Sequence, residues 1–483
     1  MDLRAAMNDS TAPTAPAELS EFIENRTYVE IQVGDQSVLT RTLRPEDIQL
    51  FAIMSGDVNP AHVDPEYARS SLFHEVIAHG MWGGALISTV LGTEFPGPGT
   101  IYISQTLKFS RPVKVGDTIT ITVTCMQKFD HNKHIVFDCV CTNQDGLKVI
   151  RGEAEVLAPT EKIKRARMAM PEITISDRDA RYRRLFGRAQ GLKAVKAAFV
   201  HPCDLSSLQA ATSVRDSGLM EPVLIGPEAR LRGLIEQHRL KLGTTRIINV
   251  SHSHAAAARA VELARNDDVA ALVQGSLTTE ELLRAVIMPH GLRVAGRLSH
   301  VLYIDVPSHP RPLIITDMMV NIEPTLAHKV DIVQNAIDFA HLMGVPEPKV
   351  AVLAGIETVT PRMRATLDAA ALCKMADRGQ IVGGVIDGPL GFDNAVSLIS
   401  ARAAGLKSVV AGQADVLLAP DLESGNMLAK QLEHLSDAIS GGVVLGGQVP
   451  IVLANRGDSV DSRIASCVLA LIVANQYRSR RRA

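Results

Sequence analysis

The chain has 483 residues, 46% hydrophobic and 21% charged, with a formal net charge of −2, which gives length for about three ordinary globular domains. That balance excludes a broad basic surface for nucleic acid, and one Trp with few other aromatics excludes a base-stacking face. The cysteines, Cys125, Cys139, Cys141, Cys203, Cys373 and Cys467, form no CxxC pair, so they read as reduced core thiols and no metal site is expected.

Residues 1–18 read as a disordered tail, without the apolar core of a signal peptide. Val468–Ala474, the longest apolar run, is too short to cross a bilayer, so a cytoplasmic protein without membrane or nucleic-acid partners is expected. Residues 19–158 read as one small domain. Tyr28–Val33 and Ser37–Leu43 alternate around Gly34-Asp35, a hairpin signature. Next comes Ser55-Gly56-Asp57-Val58-Asn59-Pro60-Ala61-His62, where an acid and an imidazole lie in a turn between two packed elements. Two readings of it stand: a general acid/base pair, or an Asx turn whose Asp caps a backbone N–H beside a bystander His62. Ile77–Leu91 is apolar on nearly all sides and predicts a buried helix. Strands are predicted at 101–109, 118–128, 134–142 and 147–157, so the domain should be a sheet wrapped around one helix.

Ser-Gly-Asp-x-Asn-Pro-x-His, the helix opening at His79-Gly80, Ile101–Phe109, Arg111-Pro112-Val113 and Val115-Gly116-Asp117 occur in this order. This half resembles the MaoC-like (R)-specific enoyl-CoA hydratases of α+β hotdog fold. The resemblance implies that Asp57 and His62 are the catalytic dyad and that the Gly80 N–H polarises the thioester carbonyl. It also places Ser88 beside the dyad, with Asn59 orienting the loop. The chemistry agrees: a water must lose a proton as it attacks the β-carbon, the α-carbon must gain one, and a helix N-terminus can hold the enolate oxygen. For Gly80 the alternative is plain helix–strand packing; for Ser88 it is a hydrogen bond to its own i−4 carbonyl.

Residues 159–184 are rich in Lys and Arg and read as a charged linker. From about Lys193, short apolar strands alternate with helices: 197–200, 221–226, 247–250, 269–273, 313–316, 350–353, 381–385 and 416–420. The pattern predicts a two-lobed α/β domain, mostly parallel, whose ligands bind beyond the strands' carboxyl ends. Candidates there are Ser276 and Thr278, Arg284 in the following helix, Thr358, Gly425 and Asn426, and Asn455, Arg456, Asp458 and Ser459. Gly/Ser/Thr-rich loops with arginines fit a phosphate-type anion, although no P-loop or Rossmann fingerprint is present. Residues 478–483 read as a basic tail.

Asp317-Met318-Met319-Val320-Asn321, Asp387-Gly388-Pro389-Leu390-Gly391-Phe392-Asp393, Ala414–Asn426 and Val449–Ser459 make residues 185–477 resemble the phosphate acetyltransferase and butyryltransferase family. That family has an isocitrate-dehydrogenase-like fold, and the ending of this chain is closer to the butyryl branch. The resemblance assigns Arg284 to substrate binding and Arg456 to the reaction centre. Two departures stand out: Asn455 occupies a position that is commonly Ser, and the acetyl branch's carboxylate falls on Ser462, with Asp458 or Asp461 nearby.

A two-module acyl-CoA enzyme is therefore expected, hydrating trans-2-enoyl-CoA and exchanging acyl groups between CoA and orthophosphate. It would hold no permanent cofactor, with acyl-CoA, CoA, orthophosphate or acyl phosphate as small-molecule partners and a homo-oligomer as its assembly. The alternative is a back half that is a non-catalytic acyl-CoA-sensing and oligomerisation module; a thioesterase or dehydratase role for the hotdog is a third reading.

Overall fold

The structure is a computed structural model that describes residues 21–171, 173, 175, 177–292, 296–454 and 457–482. It divides into two compact units between Ile175 and Ser176.

The front unit contains strands β1 (Phe22–Glu24) and β2 (Gln36–Thr42), helices α1 (Pro45–Ser55), α2 (Pro60–Val63), α3 (Pro65–Ser70) and α4 (Gly80–Thr89), and strands β3 (Ile101–Gln105), β4 (Lys108–Phe109), β5 (Thr118–Phe129), β6 (His134–Thr142), β7 (Lys148–Leu157) and β8 (Lys164–Ala166). An antiparallel sheet runs in the order β2-β5-β6-β7-β3, with β4 also paired to β7. Burial alternates residue by residue along β5 and β6, so one sheet face is dry. Ile119, Ile121, Val123, Ile135 and Phe137 pack there with Trp82, Leu86 and Ile87 of α4 and with Val90 and Leu91 of the π-helical turn Val90–Glu94 that extends it. The sheet thus wraps the helix.

Three sequence expectations change here. Tyr28–Val33 forms turns instead of a strand. Its carbonyls at Tyr28 and Ile31 accept from Lys128 Nζ, so they are withdrawn from any ladder. The strand expected over 101–109 breaks at Thr106-Leu107, where Gly152 lies so close that a Cβ would sit 1.7 Å from Thr106 O. Nor is α4 buried all round: Met81, Ala85, Ser88 and Thr89 form an exposed stripe at helical spacing.

The back unit begins with α5 (Arg178–Gly187), then β9 (Val195–Val200), α6 (Leu205–Asp216), β10 (Met220–Gly226), α7 (Glu228–Gln237), β11 (Arg246–Asn249), α8 (Ser253–Arg265), β12 (Ala271–Gln274) and α9 (Thr279–Ile287). It continues through β13 (Ser299–Asp305), β14 (Leu313–Thr316), α10 (Leu326–Leu342), β15 (Lys349–Leu353), α11 (Arg364–Asp377), β16 (Val385–Leu390), α12 (Phe392–Val396), α13 (Leu398–Ala403), β17 (Val416–Leu418), α14 (Leu422–Leu435), β18 (Ile439–Leu445), β19 (Ile451–Val452) and α15 (Val460–Arg482). One sheet runs β11-β10-β9-β12-β19-β18-β13-β14-β17-β15-β16. Pairing is parallel from β11 to β19 and again from β14 to β16. Antiparallel pairs involving β18 and β13 join these blocks, which therefore run in opposite senses. The strands are apolar on both faces because helices cover both, as parallel sheets require.

The charged stretch 159–184 contains the boundary between the two units, and parts of it are regular. It supplies β8, paired to β1, and most of α5, whose Leu185 and Arg181 are buried. The basic end continues α15 as helix to Arg482. Strand β16 starts only at Val385, after Gly383 takes a positive φ; a Cβ on the next residue, Gly384, would lie 2.9 Å from Pro348 O. The wholly buried β13 was not predicted; its polar residues Ser299, His300 and Asp305 hide the apolar pattern. Among the described residues, no helix is long and apolar enough to cross a membrane.

Candidate functional sites

In the front unit, α1 ends on Gly56, which adopts the left-handed conformation (φ 75°) and sends its N–H back to Ala52 O. Asp57 Oδ1 then accepts the Asn59 N–H at 3.2 Å, so the Asx turn is real. Asn59 Oδ1 in turn accepts from Ala61 N at 3.1 Å and caps α2, with Pro60 at its first position. The two readings of this loop are compatible: the turn sets the acid's position, and the cap sets His62.

His62 is half-buried, and its Nδ1 lies 2.9 Å from Ile77 O. A carbonyl only accepts, so Nδ1 carries the hydrogen and Nε2 keeps its lone pair. His79, buried at the N-cap of α4, places Nε2 3.0 Å from Asp57 O and stacks on His62 with ring centroids 4.1 Å apart. Side-chain ligand atoms of Asp57, His62 and His79 all lie within 4.8 Å of one another, a span that one water can bridge. The sequence spacing carried no metal signature; folding brings these three groups together.

A cavity of about 330 Å³ opens beside them, lined in part by His62, His79, Gly80, Phe109 and Arg111. Gly80 stands at the first turn of α4, where backbone N–H groups lack helical acceptors. A Cβ on it would come within 3.2 Å of the Phe109 ring, so the packing reading of this glycine also holds. Ser88 is exposed and is not among the described lining residues. It lies eight residues along α4 from Gly80, about 12 Å at helical rise.

The back unit's cavity, of about 600 Å³, lies beyond the carboxyl ends of β9, β12 and β19. Ser276 and Thr278 line it, and so do Asp204, Ser206, Gln274 and Arg463, which the sequence reading had not marked. Asp204 caps α6 and accepts from Ser206 Oγ, Ser207 N and Oγ, and Ser276 Oγ at 2.7–3.1 Å. Burial pushes this carboxyl up, but those donors and the Arg463 charge outweigh it and hold it below the ordinary value. Arg463, buried on α15, places Nη1 3.3 Å from Ser207 Oγ. Gln274 joins the β12 and β19 loops, donating to Leu277 O and accepting from Ala454 N. Thr278 caps α9 in a capping box with Glu281. Gly275 lets the loop approach closely, since a Cβ there would lie 2.5 Å from His201 O.

Other expected residues lie elsewhere. Arg284 is an exposed partner of Glu280 on α9. Thr358 is exposed after β15. Gly425 is buried in α14, where a Cβ would meet Asp317 O at 2.6 Å; close packing explains this glycine better than ligand contact. Asn426 Nδ2 is 3.4 Å from Met318 O. Asp458 lies 3.5 Å from Lys430, and exposed Ser459 accepts from Ser462 N. Asn455 and Arg456 lie outside the described residues. Ser462 Oγ donates to Ser440 O, and Ser440 Oγ donates to Glu433, which pairs with Lys430. Two half-buried carboxylates thus share Lys430 in this region, Glu433 on α14 and Asp458. A run of polar residues on α14 and α15 was the available signal for Lys430, Glu433 and Arg463; Asp204, beginning a helix before Ser206-Ser207, was the signal for its cap.

Comparison with known proteins divides along the same two units. The phosphate acetyl/butaryl transferase model matches residues 253–471, and the MaoC-like domain model matches residues 30–142. The phosphate acetyltransferase of Rickettsia prowazekii is 50% identical over 295 residues, 61% of this chain and 84% of that protein. The phosphate butyryltransferase of Clostridium acetobutylicum is 35% identical over 288 residues, 59% of this chain and 95% of that protein. Over the whole domain, then, identity to this acetyl enzyme is the higher, although the ending had pointed to the butyryl branch. Among solved structures, a branched-chain phosphotransacylase from Enterococcus faecalis is similar at TM-score 0.51 and 26% identity, covering 58% of this chain and 99% of its own. An R-hydratase from Pseudomonas aeruginosa is 43% identical over 32% of this chain and 99% of its own, at TM-score 0.31.

Proposed function

The chain belongs to the phosphate acetyl/butaryl transferase family and carries a MaoC-like domain ahead of the transferase, and from that premise we propose a bifunctional acyl-CoA enzyme. In the back unit a phosphate oxygen attacks the thioester carbonyl, the C–S bond breaks, and acyl phosphate leaves together with CoA, whose thiolate takes up a proton. Acetyl is the first acyl group to test, given the 50% identity to a phosphate acetyltransferase. The observation that supports transfer in this chain is the cavity at the strand ends, where hydroxyls, helix N-termini and buried Arg463 converge.

In the front unit, water adds across the double bond of a trans-2-enoyl thioester. The Asp57 carboxylate and His62 hold the water, its hydroxyl goes to C3 to give the (R)-3-hydroxyacyl thioester, and a proton goes to C2. The first-turn N–H of α4 at Gly80 holds the enolate oxygen. Support for this reading is the hydrogen-bonded placement of His62, whose Nδ1 is held by Ile77 O and whose ring has a nitrogen within 4.8 Å of an Asp57 carboxylate oxygen.

Self-association of the front unit is part of the proposal. Edge strand β3 exposes Ile101 and Ile103, and α4 exposes Met81, surfaces that a second copy would cover. The reading is tested with Asp57→Asn: crotonyl-CoA hydration should fall by about 10² to 10⁴ while phosphate-dependent acyl transfer is retained. Normal hydration by that variant would sink the front-unit assignment.

A further inference from the structure

We infer that Asp57, His62 and His79 form a binding site for a divalent d-block cation of the zinc type, and that such a cation inhibits the front unit. The site rests on side-chain geometry and not on the hydratase reading; only the inhibitory consequence uses that reading.

Three separate pieces of chain contribute. Asp57 comes from the loop after α1, His62 from α2 and His79 from the start of α4, and one ligand atom of each falls within 4.8 Å of the other two. Both imidazoles are oriented by main-chain oxygens: His62 Nδ1 by Ile77 O at 2.9 Å and His79 Nε2 by Asp57 O at 3.0 Å. Each carbonyl accepts a hydrogen, so each ring keeps its lone pair on the opposite nitrogen. This is the arrangement that metal-binding histidines use to fix their tautomer. His79 adds an independent sign, because its Nδ1 is buried and has no hydrogen-bond partner among the described residues. Asp57 spends Oδ1 on the Asn59 N–H and keeps its other oxygen for coordination.

Two imidazoles and one carboxylate suit zinc and its neighbours and disfavour calcium or magnesium, which take oxygen ligands. A tetrahedral zinc with bonds near 2.0–2.1 Å requires its ligand atoms to stand about 3.3 Å apart. The widest separation must therefore close by as much as about 1.5 Å on binding. The fourth position would face the cavity. A cation held here occupies the place of the hydrating water and uses the lone pair of His62, so hydration stops.

The test uses the full chain, stripped with a chelator. Zn²⁺ binding is followed by equilibrium dialysis and Co²⁺ binding by its visible absorption. We expect one Zn²⁺ per chain at this site, a tetrahedral-type cobalt spectrum, and at least a tenfold weaker affinity in Asp57→Asn and in His79→Gln. Asp57 has an exposed side chain, so that variant remains informative if His79→Gln does not fold. The rival imidazoles are His252 and His254, with Glu281 paired to His254 on the back unit. A His252→Gln/His254→Gln double variant should keep the site. Unchanged zinc affinity in Asp57→Asn, loss of the site in the double variant, or no binding by the wild-type chain at millimolar Zn²⁺ would each overturn the inference.

Discussion

His79 Nε2 stands 3.0 Å from the main-chain oxygen of Asp57, so the residue that caps the apolar helix also holds the loop that carries the acid. Its ring lies between Phe51, at 4.9 Å, and His62, at 4.1 Å, which fixes the direction of that hydrogen bond. Replacing His79 with Phe keeps the stack and removes the bond. We predict that kcat for enoyl-CoA hydration falls by about 10-fold to 10²-fold, the scale of a 1 Å misplacement, with KM little changed and acyl transfer intact. Steady-state kinetics of both reactions on one preparation check this.

Gly275 is the corresponding backbone constraint in the other unit. A methyl group there would lie 2.5 Å from His201 O and 2.6 Å from Pro202 Cα, both in main chain that has no side-chain freedom to yield. Gly275→Ala should displace the Ser276–Thr278 loop and reduce phosphate-dependent acyl transfer by at least about tenfold, while hydration is unaffected. Equal loss of both activities would show a general folding defect instead.

Arg463 brings a buried positive charge to the same cavity and helps hold Asp204 ionised. Arg463→Ala should raise KM for phosphate by about tenfold or more, and Arg463→Lys should recover part of that loss because it restores charge without the planar fork. Phosphate titrations at saturating acyl-CoA separate KM from kcat.

His300 gives the back unit an acid-sensitive core. Burial drives this imidazole down to about 3, well below its ordinary value near 6.5. As pH falls, the unfolded chain therefore takes the proton first. The neutral ring's contribution to stability is complete above about pH 6.5 and is lost as pH falls toward 3, at about 1.4 kcal/mol per pH unit at most. Urea midpoints of wild type and His300→Gln between pH 4 and 7 should diverge in slope, the variant being flatter; parallel slopes would contradict the assignment.

Much of this architecture was legible because period-two burial in β5 and β6 and the βα alternation after Lys193 are local patterns. The failures were tertiary. Tyr28–Val33 alternates like a strand, yet Lys128, a hundred residues away, takes its carbonyls. The exposed stripe on α4 carries only small or apolar side chains and the hydroxyls of Ser88 and Thr89, with no charge, and so looked buried. At the sites, the Asp57–His62 spacing showed through, since Gly56 and the Asn59-Pro60 cap are local signals. His79 was read as a motif letter opening a helix, because its contact with Asp57 spans 22 residues. Asp204 and Arg463, joined through Ser207, are separated by most of the back unit and left no spacing to read. Arg284, by contrast, had a family role but stands exposed with Glu280.

The central claim is that this one chain performs acyl transfer to phosphate as well as hydration. The most direct measurement is release of free CoA thiol by the intact chain from acetyl-CoA, with and without orthophosphate. The account predicts thiol release that requires phosphate, matched mole for mole by acetyl phosphate, and persisting in Asp57→Asn. Saturable acetyl-CoA binding with no phosphate-dependent thiol release would contradict it and leave the back unit as a sensor.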